Sequence, residues 1–80
     1  MDFPQFRKYP NGLSFFRINS PDSFEELKRM GEKWMIETYE VKILPDRNFV
    51  NDLLTKCPDF AVCIEEKEYL EMRGKATGKG

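Results

Sequence analysis

Apolar residues along this chain change rhythm several times, and each rhythm points to a different element. The strongest β signal spans residues 33–44. Trp34, Ile36, Thr38, Tyr39, Val41 and Ile43 supply the aromatic and β-branched side chains that suit a pleated surface. Alternation there is imperfect, because Tyr39, Val41 and Ile43 share one face while Trp34 and Ile36 share the other. A bulge near Glu37-Thr38, or a strand covered on both sides, reconciles the two halves. Pro45-Asp46 breaks the strand, and Asp46 suits the cap of a following helix. Phe49, Val50, Leu53, Leu54 and Cys57 then recur at helical spacing, predicting an amphipathic helix that Pro58 ends.

Upstream, Asn11-Gly12 is a strong hairpin signal, since a type I′ turn needs positive φ at both central residues. It predicts the pairs Lys8–Phe15, Arg7–Phe16 and Phe6–Arg17, and Pro10 marks residues 5–10 as an edge strand. One face of the hairpin carries Phe6, Lys8, Leu13, Phe15 and Arg17. The other carries Arg7, Tyr9, Ser14, Phe16 and Ile18, and Phe16 with Ile18 favours its burial. Ser23 with Glu26 fits a capping box, Phe24, Leu27 and Met30 share a helical face, and Gly31 suits the C′ position, so residues 23–30 read as a short helix. A rival reading runs that helix through Gly31 towards Val41; the β-branched run from Ile36 favours helix, then strand. Phe60–Ile64 is a short apolar run expected of a strand buried on both faces, and residues 65–73 read as a charged helix.

The pattern as a whole predicts an α+β fold in one small domain over residues 1–73. Its expected parts are an N-terminal hairpin and a three- to four-stranded, mostly antiparallel sheet, with two helices and a short C-terminal helix on one face. Residues 74–80, GKATGKG, read as a disordered basic tail.

Composition supports a folded chain: 40% of its 80 residues are hydrophobic and 14% aromatic, with seven Phe, three Tyr and one Trp. A core of this size is thin, and stability is expected to be marginal. Thirteen basic against 14 acidic residues leave a net charge of −1, which gives no global attraction to nucleic acid or to an anionic membrane. The chain lacks histidine, so imidazole chemistry and His-containing zinc sites are excluded. Cys57 and Cys63 fit no zinc spacing. With no signal-like segment and no apolar run near the ~18 residues of a membrane span, the expectation is a cytoplasmic protein with reduced thiols. A Cys57–Cys63 disulfide belongs to the alternative of an exported chain.

Candidate chemistry is sparse. Pro45-Asp46 or Pro58-Asp59 followed by Glu65-Glu66-Lys67 resembles the PD-(D/E)xK nuclease motif. That resemblance implies Asp46 or Asp59 and Glu65 as metal ligands and Lys67 as the catalytic lysine. The match is degenerate: Asp59 lies only six residues before Glu65, and Asp46 serves equally as a cap. On the hairpin, Arg7, Lys8 and Arg17 interleave with Tyr9 and the Phe side chains, a pattern that serves nucleic acid through stacking and phosphate contacts. The plain alternative is core aromatics beside a solvated cationic edge. Neither a catalytic set nor a cofactor or resident metal is expected. The leading expectation is a non-enzymatic protein–protein interaction module, self-association included, with Phe6, Phe15, Trp34 and Ile36 as interface candidates. Nucleic-acid binding through Arg7, Lys8, Arg17 and Tyr9 is the first alternative, and the metal-dependent nuclease the second.

Overall fold

The computed structural model describes residues 2–76. Five strands and two helices follow one another as β1 (Gln5–Lys8), β2 (Ser14–Ser20), β3 (Ser23–Met30), β4 (Lys33–Glu40), α1 (Leu44–Thr55), β5 (Val62–Cys63) and α2 (Glu66–Arg73). The strands form one antiparallel sheet in the order β4-β3-β2-β1-β5. The α+β class and the antiparallel sheet are as the pattern predicts.

Each hairpin has its own turn chemistry. In β1–β2 the register is the expected one, with Lys8 opposite Phe15 and Arg7 opposite Phe16. The turn differs: Tyr9 carbonyl accepts from the Gly12 N–H at 2.9 Å, so Pro10 and Asn11 are its central residues, and only Gly12 has positive φ. Proline's fixed negative φ rules out a type I′ turn starting one residue earlier and sets this four-residue loop instead. β2–β3 closes around Pro21-Asp22, neither with positive φ, and the register shifts between Ile18 and Ser20. Turns of negative φ splay strands, and a one-residue bulge restores the twist. β3–β4 turns on Gly31-Glu32 with Gly31 at φ 66°, the first-position glycine that a type II′ turn favours.

The largest departure from expectation is β3. Residues 23–30, expected as a helix, form a strand between β2 and β4, which makes five strands instead of three or four. Phe24 and Leu27 do not share a face; they point into different cores. One core gathers Phe16, Ile18, Phe24, Val41 and Ala61 under Val50 and Leu53 of α1. The other gathers Phe15 and Leu27 under Tyr69 of α2, with Phe6, Trp34, Ile36 and Met72 packed around it. The helices thus cover opposite faces, where a single covered face was expected. Both hairpin faces are buried, because consecutive strand residues alternate between two occupied sides.

That arrangement also resolves β4, which pairs with β3 without a bulge from Lys33 to Glu40. Trp34 and Ile36 face the α2 side, Tyr39 and Val41 the α1 side. The strand stops at Glu40, short of the expected residue 44. Ile43 is the helix N-cap, and Asp46 sits in the first turn without making a side-chain cap bond, where its charge suits the helix dipole. β1 is not an edge, since β5 pairs with it; Pro10 falls in the turn. The apolar run Phe60–Ile64 contributes only the two residues of β5. Of the expected tail, Ala76 packs against the Phe15–Leu27–Tyr69 core, and residues 77–80 lie outside the described residues.

Two buried polar groups fix the helices to the sheet. Arg7 is buried, donating from Nε to the Leu53 carbonyl at 2.9 Å and from Nη1 to the Phe6 carbonyl at 2.8 Å. The last turn of α1 has no basic residue of its own, and Arg7 brings the cation its negative end favours. On the opposite face, buried Glu25 accepts from the Tyr69 hydroxyl at 2.6 Å and from Arg73 Nε at 3.0 Å. Burial pushes the Glu25 carboxyl up. The Arg73 and Tyr69 hydrogen bonds, with the charges of Arg73 and Arg17, outweigh burial and hold it below the ordinary carboxylate value.

Candidate protein interface

Among the described residues β4 ends the strand order of the sheet, and its backbone geometry follows from one hydrogen bond. Val41 N–H donates to the Asp22 carbonyl at 2.6 Å, so in this regular ladder the odd-numbered residues turn their polar groups towards β3. Trp34, Ile36, Thr38 and Glu40 therefore direct N–H and C=O away from the sheet. The opposite edge, β5, is two residues long and offers no such template. The edge is eight residues long without a bulge or proline, and it carries the charged side chains Lys33, Glu37 and Glu40.

Apolar surface gathers beside this edge. Among the described residues, Met30 is 54% exposed, Tyr39 36%, Ile43 59% and Leu44 67%. Met30 pairs with Lys33 at the start of β4, while Ile43 and Leu44 follow its end. Trp34 and Ile36 are half-buried against the α2 core.

A cleft of about 350 Å³ opens on the α1 side of the same edge, lined by Phe24, Glu26, Tyr39, Glu40, Val41, Asp46 and Phe49. Its aromatic wall is built by register: Phe24 and Tyr39 are cross-strand partners, with stacked rings 4.8 Å apart. Phe49 from α1 closes the wall at 5.7 Å from Phe24. The same register sets Glu26 directly opposite Glu37, and among the described residues neither forms a salt bridge. Glu37 accepts a hydrogen bond from the Tyr39 hydroxyl at 2.8 Å. Burial, that bond and the nearby Glu26 push the Tyr39 phenol up to about 12. Aromatic faces beside unneutralised carboxylates form a setting for a cation.

The other candidate residues are placed differently. Phe15 is buried in the core, and Phe6 packs on Tyr69 at 5.3 Å, so of the four interface candidates only Trp34 and Ile36 reach an edge. Arg7 is committed to α1. Lys8 is paired with Glu68 at 2.9 Å, and Arg17 lies opposite Glu25 with its Nε buried. Tyr9 is packed edge-on against Phe16 and Phe60. Burial and Glu26 push its phenol above the ordinary value. These aromatic and basic groups do not converge on one open surface.

The nuclease-like residues are also dispersed. Glu65 is the N-cap of α2 and Lys67 lies within that helix, so their separation of two does not project them together as it would on a strand. Asp46 belongs to α1, on the opposite face of the sheet. Among the described residues no group of three Cys, Asp or Glu side chains is arranged to hold a metal ion. The cleft on β4 is not legible in the sequence, because its aromatic wall depends on Phe24 and Tyr39 being strand partners, and Phe24 reads locally as helical. No helix among the described residues is long and apolar enough to cross a membrane. No family model, curated protein or solved structure matches this chain.

Proposed function

We propose that this protein is a non-enzymatic interaction module that docks a partner strand along β4. The observation that carries this reading is the regular eight-residue strand that ends the sheet, with no further strand beyond it among the described residues. Strand addition at such an edge draws affinity from main-chain hydrogen bonds and specificity from side chains on alternating faces. The apolar side chains around β4 add burial to the backbone pairing. A cytoplasmic setting belongs to the same proposal. Nucleic-acid binding has less behind it, because Arg7 is committed to α1, Lys8 is paired with Glu68, and Arg17 lies opposite Glu25 with its Nε buried.

The test uses a photoreactive residue at exposed Thr38 in the living source cell, with the same group at Glu66 on α2 as control. Protein adducts are expected at position 38 and not at 66. Ile36→Pro should abolish them, since it removes an outward N–H and leaves the β3 hydrogen bonds in place. Adducts no more abundant at 38 than at 66 overturn the reading.

A further inference from the structure

We infer that the cleft between the β3–β4 ladder and the first turn of α1 binds a small alkylguanidinium, a flat organic cation on a short aliphatic chain. The site lies on the α1 face and uses no outward backbone group of β4, so it stands apart from strand docking there. Its wall is preformed. Phe24 is buried and stacked on Tyr39, and Phe49 is held by edge-on contacts to Phe16 and Phe60, each at 5.9 Å. Asp46 and Phe49 stand three residues apart in α1, so one helix face brings both a carboxylate and a ring over the sheet. Of the three rings Tyr39 is the most exposed, and it offers a ligand the largest aromatic surface. A volume of about 350 Å³ falls at the small end of ligand clefts, with room for one planar head and a few methylenes.

The lining is complementary to one kind of ligand. Among the described residues it consists of three aromatic rings, Val41 and the carboxylates of Glu26, Glu40 and Asp46, with no cationic side chain. Arg47, next to Asp46 in sequence, is paired with Asp22 at 3.2 Å, and among the described residues no salt bridge reaches the three carboxylates. Glu26 lies close enough to push the Tyr39 phenol up, so its charge is felt at the aromatic wall. The Tyr39 hydroxyl donates to Glu37, which leaves the lining side chains with acceptors and π surface to offer. A guanidinium answers both, because it only donates, holds its N–H groups in one plane and stacks on aromatic faces. A primary ammonium brings fewer donors and holds its water more tightly. A quaternary ammonium brings none and leaves the carboxylates it desolvates without hydrogen bonds. The strand register adds to the attraction: Glu26 directly faces Glu37, and a bound cation relieves that like-charge pair.

Calorimetry and chemical-shift mapping with n-butylguanidinium test the site in the intact chain. Saturable binding is expected, with shifts centred on Phe24, Tyr39 and Phe49. The neutral n-butylurea keeps the planar head without the charge and should bind about tenfold more weakly. Equal binding of the two would make the cleft an apolar slot and overturn the inference. Tighter binding of n-butylammonium or choline overturns the guanidinium assignment. Asp46→Asn should weaken n-butylguanidinium binding about tenfold, as loss of one charge-assisted contact does. Glu26→Gln should weaken it similarly while leaving the thermal midpoint unchanged or higher, since it relieves the repulsion from Glu37. Lost binding in that variant therefore reports the site and not the fold. Tyr39→Phe, which keeps the ring, should retain affinity, and Tyr39→Leu should lose it. Wild-type affinity in both carboxylate variants places the cation elsewhere and overturns the site. A capped arginine tripeptide that binds where n-butylguanidinium does not overturns the small-molecule source.

Discussion

Glu25 shows how one polar residue is made tolerable between two apolar layers. Its carboxylate is buried in the sheet face under α2, and the Tyr69 hydroxyl and the Arg73 guanidinium, with the charge of Arg17 opposite, make that burial favourable. Glu25→Gln should destabilise the protein by about 1.5–3 kcal/mol, the range for hydrogen bonds to a charged group, because Arg73 remains partly solvated. The pH dependence has a definite sign. A carboxyl held below its ordinary value of 4.5 stabilises the fold fully above that pH and loses the contribution as pH falls through the lower folded value. Urea midpoints should therefore drop below about pH 4.5 in the wild type and change less there in Glu25→Gln. A midpoint that Glu25→Gln leaves untouched at neutral pH would dismiss this role. Cys57 and Cys63 are the other informative pair. The Cys63 N–H donates to Cys57 Sγ at 3.2 Å, and both residues are exposed. The Cys57 sulfur and burial push the Cys63 thiol up, against a smaller opposing effect of Arg7. Diamide, taking one hydrogen from each thiol, should give an intramolecular disulfide, seen by intact mass as the loss of two hydrogens. Exclusively intermolecular products would contradict the geometry.

At the level of elements, β3 explains both what the sequence disclosed and what it concealed. Ser23–Met30 is rich in good helix formers, and Phe24 with Leu27 has helical spacing. Nothing local says that the two side chains serve different cores. That fact depends on α2, some forty residues away, covering the face that Leu27 occupies. The hairpin register of β1–β2 was legible because turn chemistry is local, and the α1 stripe because its helix is amphipathic. The cleft and the Glu25 site were not, since both follow from β3 being a strand. Gly31 reads in the sequence as a helix C′ residue and in the structure opens a type II′ turn, and both positions demand positive φ. A Cβ at Gly31 meets no atom within 4 Å, so Gly31→Ala introduces backbone strain without a clash. It should cost roughly 1–2 kcal/mol, read as a lower thermal midpoint. An unchanged midpoint would argue against this turn.

Across the whole molecule, the order β4-β3-β2-β1-β5 pairs each of the first four strands with its neighbour in sequence. Both helices that cover the sheet come after Glu40: α1 with Val50 and Leu53 on one face, α2 with Tyr69 on the other. A ribosome therefore delivers the whole meander before either of its lids. For the few seconds of elongation that separate β4 from α2, the nascent chain carries two bare apolar faces and an unguarded β4 edge. Phe16, Ile18 and Phe24 line the first face, Phe15 and Leu27 the second. Rapid local pairing favours early strand formation, yet the sheet gains its permanence only when the last helix has cleared the exit tunnel. A message truncated after β4 would yield a species with every hairpin and no interior. Quality control should meet that species far more often than the finished protein.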